Sequence, residues 1–594
     1  MNPNQFRLRL LLDLFKLLAV PVIILSLFLK LSHQSLGYFT APAHLAFIIA
    51  WVFAKKSILD FQQHRNATKL YAKQIPRIAG KWPGNVDILL KMLKAFETAY
   101  VLDVYLQLFE EYQCTTLNLY IFWTDQIITM DHEHTKFILA TGFDHFWRGY
   151  AQKERMENFL GVGIFNRDDA VWKMHRNMAR PFFARERISD FDIFERHTQR
   201  TLAILQSHSS SQKPSEAQDL YARFTIDAAA EFLFGKNLDT LSGDLPVPGI
   251  TPMGPKGSQT QDAWGSFTGA FEMAQQIVTS RSRMGWIWPL FEMFGDKSIP
   301  YVQVIRAWLD PLVGQALRDH EATKQAGVIS PIADKTFLQH LVDSTTDPIL
   351  IRDQLLSMLL ASRDTTACVL TFITYIMATT PHVAERLRAE VLAYCGPDAP
   401  PTYDQIRGMK YMRAIINETL RLFPPVPLNV RESRAEACTL PHPDATYESK
   451  GEHSRAFYMP GSTTIIFLPL LFQRNKALWG PDADEFDPER WLNPARVAKF
   501  VANPSIFGPF SAGPRICIGQ NYAYNEASYF LVRLMQKFDK FTLVPEVQPK
   551  GSLPPPEWKG RKGRQNIERI WPSAALTLYV KGGLWVQFHR ASSA

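Results

Sequence analysis

Cysteine is scarce in this 594-residue chain. Its five cysteines, Cys114, Cys368, Cys395, Cys438 and Cys517, are odd in number, widely scattered and contain no Cys-x-x-Cys pair. That indicates neither a disulfide framework nor a zinc site, so a reducing, cytosol-facing body is expected. No repeat of solenoid or propeller length is present, which excludes a quasi-linear array. Charge is too weakly biased to name a partner: a net charge of +8 and a pI near 9.0 suit an anionic membrane surface, an acidic protein or nucleic acid alike. Against these shortages stand 46% hydrophobic and 12% aromatic residues, enough to fill a large packed core.

Leu17 to Leu29 (LLAVPVIILSLFL) is uncharged and apolar, and Leu36 to Ala54 (LGYFTAPAHLAFIIAWVFA) is a second such run, close to the roughly 20 residues that cross a bilayer. The first reaches that length only by taking in Asp13, Lys16 or Lys30, which makes it the weaker span. Lys55, Lys56, Arg65, Lys69, Lys73, Arg77 and Lys81 follow, against a lone Asp60, and by the positive-inside rule they place the downstream body in the cytoplasm. Arg7 and Arg9 favour the same side and suit a two-span hairpin; one span with an interfacial first helix is the alternative. A cleaved signal peptide ending at Ala41-Pro-Ala43 fits poorly, because further apolar sequence follows. The division is therefore 1–60 as a membrane anchor of one or two spans, 61–82 as a basic linker, and 83–594 as one compact body.

The body reads as α+β and predominantly α-helical. Helical spacing runs over Val86 to Gln113, Ile188 to Ser207, Asp219 to Phe234, Ile351 to Thr379 and Gln520 to Phe538. Thr115 to Thr129 and Ser462 to Leu468 have strand character, and Ala575 to Phe588, broken by Gly582-Gly583, predicts a hairpin. Two Pro- and Gly-rich stretches, Gly243 to Gln261 and Pro545 to Gly563, predict exposed insertions.

Cys517 stands in FSAGPRICIG, between two glycines and ahead of an amphipathic run. A lone free cysteine is usually a small buried hydrophobe. Here Gly513 permits a turn with positive φ, Gly519 lets a flat ligand approach the backbone, Arg515 can meet an anion, and the helix opening after Cys517 favours a thiolate. The pattern Phe-x-x-Gly-x-Arg-x-Cys-x-Gly, filled by Phe510, Gly513, Arg515, Cys517 and Gly519, resembles the haem-binding signature of the cytochrome P450 monooxygenases.

Other segments resemble that family in its order. Glu418-Thr-Leu-Arg421 is similar to its Glu-x-x-Arg pair, and Phe486-Asp-Pro-Glu-Arg490-Trp to the segment that adds a second arginine. Alone, Glu418 and Arg421 would be a solvated helical pair. Trp172-Lys-Met-His-Arg176 resembles the family's Trp-x-x-x-Arg, and Arg431, after Pro424-Pro425, a further propionate arginine, so the resemblance assigns Arg176, Arg431 and Arg515 to two haem carboxylates. Leu360-Ala-Ser-Arg-Asp-Thr-Thr366 resembles the oxygen-binding kink of the long central helix, with Ser362 where glycine is usual. Asp364 and Thr365 are then the acid and hydroxyl that deliver protons; alone, they would be an exposed acid beside a back-bonded threonine.

The resemblance, from about Pro83 onward, implies the P450 fold, haem b with a cysteine thiolate axial ligand, O2, and electrons from an NADPH-dependent diflavin reductase. It implies insertion of one oxygen atom into a C-H bond, at an endoplasmic reticulum membrane with the catalytic domain facing the cytosol. Nucleic acid is not an expected partner. Arg167, Lys173, His175, Arg180, Arg185 and Arg187 are docking candidates for an acidic flavoprotein, or simply a solvated basic face. ASRDTT and NETLRLFPPVPLNVR also resemble the fungal alkane and fatty-acid hydroxylases, which predicts a long apolar chain as substrate; sterols, terpenoids or polycyclic aromatics are the alternative. By analogy the pocket draws on Phe143 to Gly163, Gly265 to Ile287, Leu356 to Ala361 and Val426 to Val430. A peroxide isomerase or dehydratase would dispense with Asp364-Thr365, and a non-catalytic haem sensor or electron carrier with the long distal helix.

Overall fold

Apolar residues all around Pro348–Thr379 leave that helix one stable place, the middle of the protein. The computed structural model describes residues 5–188, 191–254, 257–258, 260, 262–326, 335–443 and 456–591. In it the helix starts at an Asp347 cap, whose carboxylate accepts from the Ile349 and Leu350 N–H groups, with Pro348 in the first turn. It is long and apolar enough to cross a membrane, but protein encloses it. Helix Ala217–Phe234 packs along it, joined by Tyr221 Oη to Thr374 Oγ1 at 2.8 Å and by Thr225 Oγ1 donating to the Arg363 carbonyl at 2.9 Å. Helix Gln520–Lys537 closes a third side, with Phe224 and Phe530 rings 4.7 Å apart. Helices Ala263–Met284 and Ile299–Gln325 pair with each other, the second also touching the central helix.

A five-stranded sheet stands beside this bundle in the order Thr116–Asn118, Gln126–Thr129, Thr464–Phe467, Asn429–Ser433, Phe146–Trp147. Gln126–Thr129 and Thr464–Phe467 run parallel, with Ile127 opposite Ile465. Antiparallel Asn429–Ser433 sets Arg431 opposite Ile465.

Several sequence expectations change in detail. Val86 to Gln113 is two helices, Val86–Thr98 and Asp103–Tyr112, because Leu102 takes a left-handed conformation (φ 61°) between them. The final segment is no hairpin at Gly582-Gly583: Leu578–Val580 pairs with Pro572–Ala574, while Trp585–Arg590 joins Phe538–Leu543 and Ser215–Glu216 in another sheet. The two glycines change direction between sheets, at φ 77° and 82°. The two rich loops are partly interior. Ser258 is buried and its N–H donates to Asp219 Oδ1 at 2.8 Å, and Trp558 packs edge-on against Tyr100 at 5.3 Å. Residues 255, 256, 259 and 261 of the first loop lie outside the described residues.

Two helices long and apolar enough to cross a membrane, Phe6–Leu31 and Gly37–Lys69, form a candidate N-terminal anchor, and their apolar faces stand almost wholly clear of the body. The first, weaker by sequence length, is the more apolar of the two.

Candidate functional site

The loop Phe510 to Gly519 is closed by the Cys517 N–H, which donates to the Phe510 carbonyl at 2.9 Å. Gly513 is required twice: its φ is 65°, and a Cβ there would collide with the Leu139 carbonyl oxygen. Gly519 has an ordinary φ of −88°, and a Cβ would meet Phe183 only at 3.5 Å. Its place on the cavity wall, not its backbone, distinguishes it.

The cavity lies between this loop and the central helix, with about 1740 Å³ of unfilled space counted to its open mouth. Cys517 is accessible, and the surface it exposes belongs to this wall. Burial raises its thiol above the ordinary range, and the Gly519 N–H and the Arg176 guanidinium offset this only in part, so the cavity as it stands does not favour the thiolate expected from the helix start.

Four guanidiniums reach the same cavity: the expected Arg176, Arg431 and Arg515, and Arg148, which no sequence pattern singled out. Arg176 Nη1 donates to the Ile516 carbonyl at 2.9 Å, gripping the residue before the cysteine. Arg515 lies 4.4 Å over the Trp172 ring and donates to Asp168 Oδ1 at 2.8 Å. Arg431 is buried, yet its bonds go to neutral oxygens, Val430 O at 2.8 Å and Asn429 Oδ1 at 3.4 Å. Arg148 Nη1 shares that Asn429 oxygen at 3.1 Å. Asp168 is also paired with Lys153 at 2.9 Å, and Asp169 adds a second acid near Arg515. Burial and then like-charged neighbours press Arg431 well below the ordinary arginine range and bring Arg515 down to about 9. A buried Arg431 whose bonds go to neutral oxygens, beside three partly buried arginines of which Asp168 pairs with Arg515, suits additional anions.

On the central helix, Thr365 and Ser362 line the cavity. Both hydroxyls are bonded back into the helix, Thr365 Oγ1 to the Ala361 carbonyl at 2.6 Å and Ser362 Oγ to the Met358 carbonyl at 2.8 Å. Asp364 points elsewhere: it is buried and accepts from Arg363 Nη1 at 2.9 Å. It is therefore neither the exposed acid of the isolated pattern nor part of the cavity lining.

A thiol and four guanidiniums lining one largely apolar cavity fit a metal macrocycle bearing two carboxylates. The sequence profile described as Cytochrome P450 matches residues 83–561. The chain belongs to the cytochrome P450 family. It is 32% identical over 505 residues to "Cytochrome P450 52-E3" of Starmerella bombicola, covering 84% of this chain and 91% of that one. It is 36% identical over 442 residues to "Cytochrome P450 52A5" of Candida maltosa, covering 73% and 78%. "Cytochrome P450 monooxygenase alt2" of Alternaria solani is 31% identical over 503 residues, covering 81% and 88%. The protein is a haem-thiolate monooxygenase of lipophilic substrates that draws on O2 and a redox-partner reductase.

The P450 pair Glu418 and Arg421 is far from solvated. Both are fully buried, with Arg421 Nε and Nη2 on the two carboxylate oxygens at 2.8 and 2.7 Å. Arg490 Nε adds an ion pair at 3.4 Å and Trp491 Nε1 donates at 3.0 Å. Arg421 also donates to the carbonyls of Gln473, Ala483 and Glu485, clamping the chain that leads into the cysteine loop.

The predicted docking cluster divides. Arg167 is taken up by Glu157 at 2.8 Å, and His175 is buried, its imidazole brought down to about 4 by burial and then by Arg167. Lys173, Arg180 and Arg185 remain exposed; the Arg187 side chain lies outside the described residues. The pocket walls also differ from expectation. Of the expected ranges, Phe143 to Gly163 contributes Arg148, Leu356 to Ala361 contributes Met358 and Ala361, and Val426 to Val430 contributes Val426 and Asn429; no residue of Gly265 to Ile287 lines it, and Ile164, Phe165, Phe232 and Leu233 take part unannounced.

Proposed function

We propose that this P450 hydroxylates a long apolar chain, an alkane or a fatty acid, with haem b held by Cys517 and electrons from an NADPH-dependent diflavin reductase. The reading places residues 83–594 as the catalytic domain on the cytosolic face of the endoplasmic reticulum, with 1–60 as anchor and 61–82 as linker. The observation that carries it is the pairing, in one cavity, of the Cys517 thiol with Arg431, a buried cation bonded only to neutral oxygens.

Haem, when bound, supplies oxygen activation from O2 and two electrons, and a thiolate ligand favours O–O cleavage. The chain's own residues do the rest. Arg148, Arg176, Arg431 and Arg515 would hold the group's two carboxylates, and Trp172 keeps Arg515 oriented by stacking. Phe510 fixes the loop through its carbonyl on the Cys517 N–H, Gly513 allows its close packing against the Leu139 carbonyl, and Gly519 leaves its place on the cavity wall free of a side chain. Thr365 leaves its Ala361 carbonyl to hold a water in the cavity, and Asp364, once released from its pair with Arg363, passes protons toward it. Glu418, Arg421 and Arg490 act structurally. Phe232, Leu233, Met358 and Val369 give the cavity apolar walls that exclude water and select an aliphatic chain. The exposed Lys173, Arg180 and Arg185, on and just after the Trp172 helix, are a docking face for an acidic flavoprotein.

The test is a spectral titration of the ferric enzyme with alkanes, fatty acids, sterols and polycyclic aromatics. Aliphatic chains should displace iron-bound water and move the Soret band; a response to sterols or aromatics alone would overturn the substrate assignment. Cys517→Ala should abolish the red-shifted carbon monoxide band of the ferrous enzyme, and its persistence would overturn the ligand.

A further inference from the structure

Helix Phe6–Leu31 does not simply leave the body for the membrane. Its first turn is seated on the body, against the segment Gly285–Glu292. The Phe6 ring lies 4.5 Å from that of buried Trp288, and Phe6 and Leu10 are themselves buried. Arg9 grips Glu154 of helix Gly149–Leu160 with two bonds, Nε to Oε2 at 2.7 Å and Nη2 to Oε1 at 2.8 Å, and Arg7 Nε reaches the Glu292 carbonyl at 3.1 Å. The far end of the second helix is also tied down: Arg77 pairs with Asp60 at 2.8 Å, and Gln63 donates to Asp125 at 2.6 Å. Between these fixed ends the two helices touch each other, and Ser26 Oγ meets His44 Nε2 at 2.9 Å.

That one cross-helix contact sets the register of the hairpin. The helices run antiparallel, so ten residues back from Ser26 and ten forward from His44 bring Lys16 level with Ala54, next to Lys55. The cations at this level and those beyond it, Lys56 and Arg65 with Arg7 and Arg9, all stand on the body's side. At the opposite end Lys30, Ser32, His33, Gln34 and Ser35 make a polar tip. From Lys16 to Lys30 the first arm is about 21 Å long at 1.5 Å per residue, and lysine stems extending outward at both ends carry it toward the ~30 Å of a hydrocarbon core. A hairpin confined to one leaflet would leave this charged tip in hydrocarbon. Asp13, the acid nearest the arm, is neutralised by Arg9 at 3.1 Å.

We propose that residues 6–69 form a two-span hairpin clasped to the body by Phe6, Arg7 and Arg9, so that the N-terminus and the catalytic body share one face of the membrane and only the 32–36 turn reaches the other. The clasp has a functional consequence. Leu290, Phe291 and Phe294, exposed apolar side chains within and just after the clasped segment, are held at the membrane surface beside the first helix. They form a fixed lipid-facing patch there, whatever the substrate is. A single-span anchor would instead send Phe6 and Arg9 to the far side and leave Glu154 and Trp288 without them.

The experiment uses the full-length chain inserted into sealed microsomal vesicles, with an epitope added before Met1 and His33→Cys as a reporter, read against the wild-type thiol background. Protease should remove the epitope from intact vesicles, while a membrane-impermeant maleimide should label the turn only after permeabilisation. An epitope protected in intact vesicles would overturn the two-span topology, and a turn labelled without permeabilisation would place the hairpin in one leaflet. For the clasp, R9E and E154R should each raise proteolytic cleavage of the first turn by about fivefold, and the R9E/E154R pair should restore the wild-type rate. Equal cleavage in all four proteins would remove the clasp, and the carbon monoxide spectrum of each variant reports separately that the catalytic body is folded.

Discussion

Arg363 donates from Nη1 to Asp364 Oδ1 at 2.9 Å and reaches Glu272 Oε1 at 3.6 Å with its other terminal nitrogen. One buried cation thus joins the acid of the central helix to helix Ala263–Met284, with the Phe271 ring 5.4 Å beneath it. For Asp364 to deliver a proton as proposed, this pair must loosen.

Asp364→Asn should lower product formation by about 10²-fold and enlarge the solvent deuterium effect, while leaving the substrate-induced Soret shift in place. Thr365→Ala should keep oxygen consumption and send the electrons to hydrogen peroxide. Unchanged coupling in both variants would remove the pair from proton delivery.

Arg431→Met should act with opposite signs on the two forms of the protein. Without haem, a buried cation bonded only to neutral oxygens is removed, and the midpoint of urea unfolding should rise, by ~1–3 kcal/mol in stability. With haem, the carboxylate loses its partner, and transfer of haem to an acceptor protein should become about 10–100-fold more favourable. A loss of stability in both forms would mean that Arg431 serves packing alone.

Glu418→Gln strands Arg421 and Arg490 in the interior and should cost ~3–5 kcal/mol in denaturant unfolding. The arginines outweigh burial and hold the Glu418 carboxyl below its usual range. Its contribution is therefore complete above the unfolded value near ~4.3 and disappears as pH falls through the lower folded value. Wild type should lose stability on acidification below about pH 4.5, and Glu418→Gln should lose less over the same interval.

Glu526 has the opposite sign. Burial pushes its carboxyl up to about 8, against a lowering contribution from the Thr366 hydroxyl. The folded chain keeps a proton that the unfolded chain releases, so this contribution is present below ~4.3 and is lost as pH climbs through about 8. Between pH 5 and 8 the urea midpoint of Glu526→Gln should fall less steeply than that of wild type. Part of the slope should persist, because burial also raises Glu216 to about 8. Identical slopes would show that Glu526 is ionised in the fold.

The sequence carried the cysteine loop well, because a tight turn with one thiol admits few residue types: Gly513 has the predicted positive φ, and Arg515 and Cys517 reach the same cavity. Spacing alone misjudged Glu418 and Arg421 as solvated, since i, i+3 geometry is the same in water and in a core; only the chain that returns over them at residues 473–491 decides the matter. Arg148 and Asp168 were illegible for a similar reason. Their roles come from strand Asn429–Ser433 and the cysteine loop, hundreds of residues away, and a lone arginine in FWRGY carries no period or motif. Glu272 gave no signal either, because its partner Arg363 comes from another helix. The final hairpin was misplaced because Gly-Gly marks a reversal without saying which strand will pair.

The parallel pairing of Gln126–Thr129 with Thr464–Phe467 bears on how the protein is made. The two strands are 338 residues apart from Gln126 to Thr464, so at about 5–20 residues per second the earlier strand leaves the ribosome roughly 15–70 s before its neighbour exists. Throughout that interval a strand rich in isoleucine offers an open edge beside a growing chain. Cys517, the proposed haem ligand, is translated later still. On that assignment haem capture belongs to the closing phase of synthesis, and a slowed ribosome or scarce haem should leave an aggregation-prone nascent chain, not a finished but inactive enzyme.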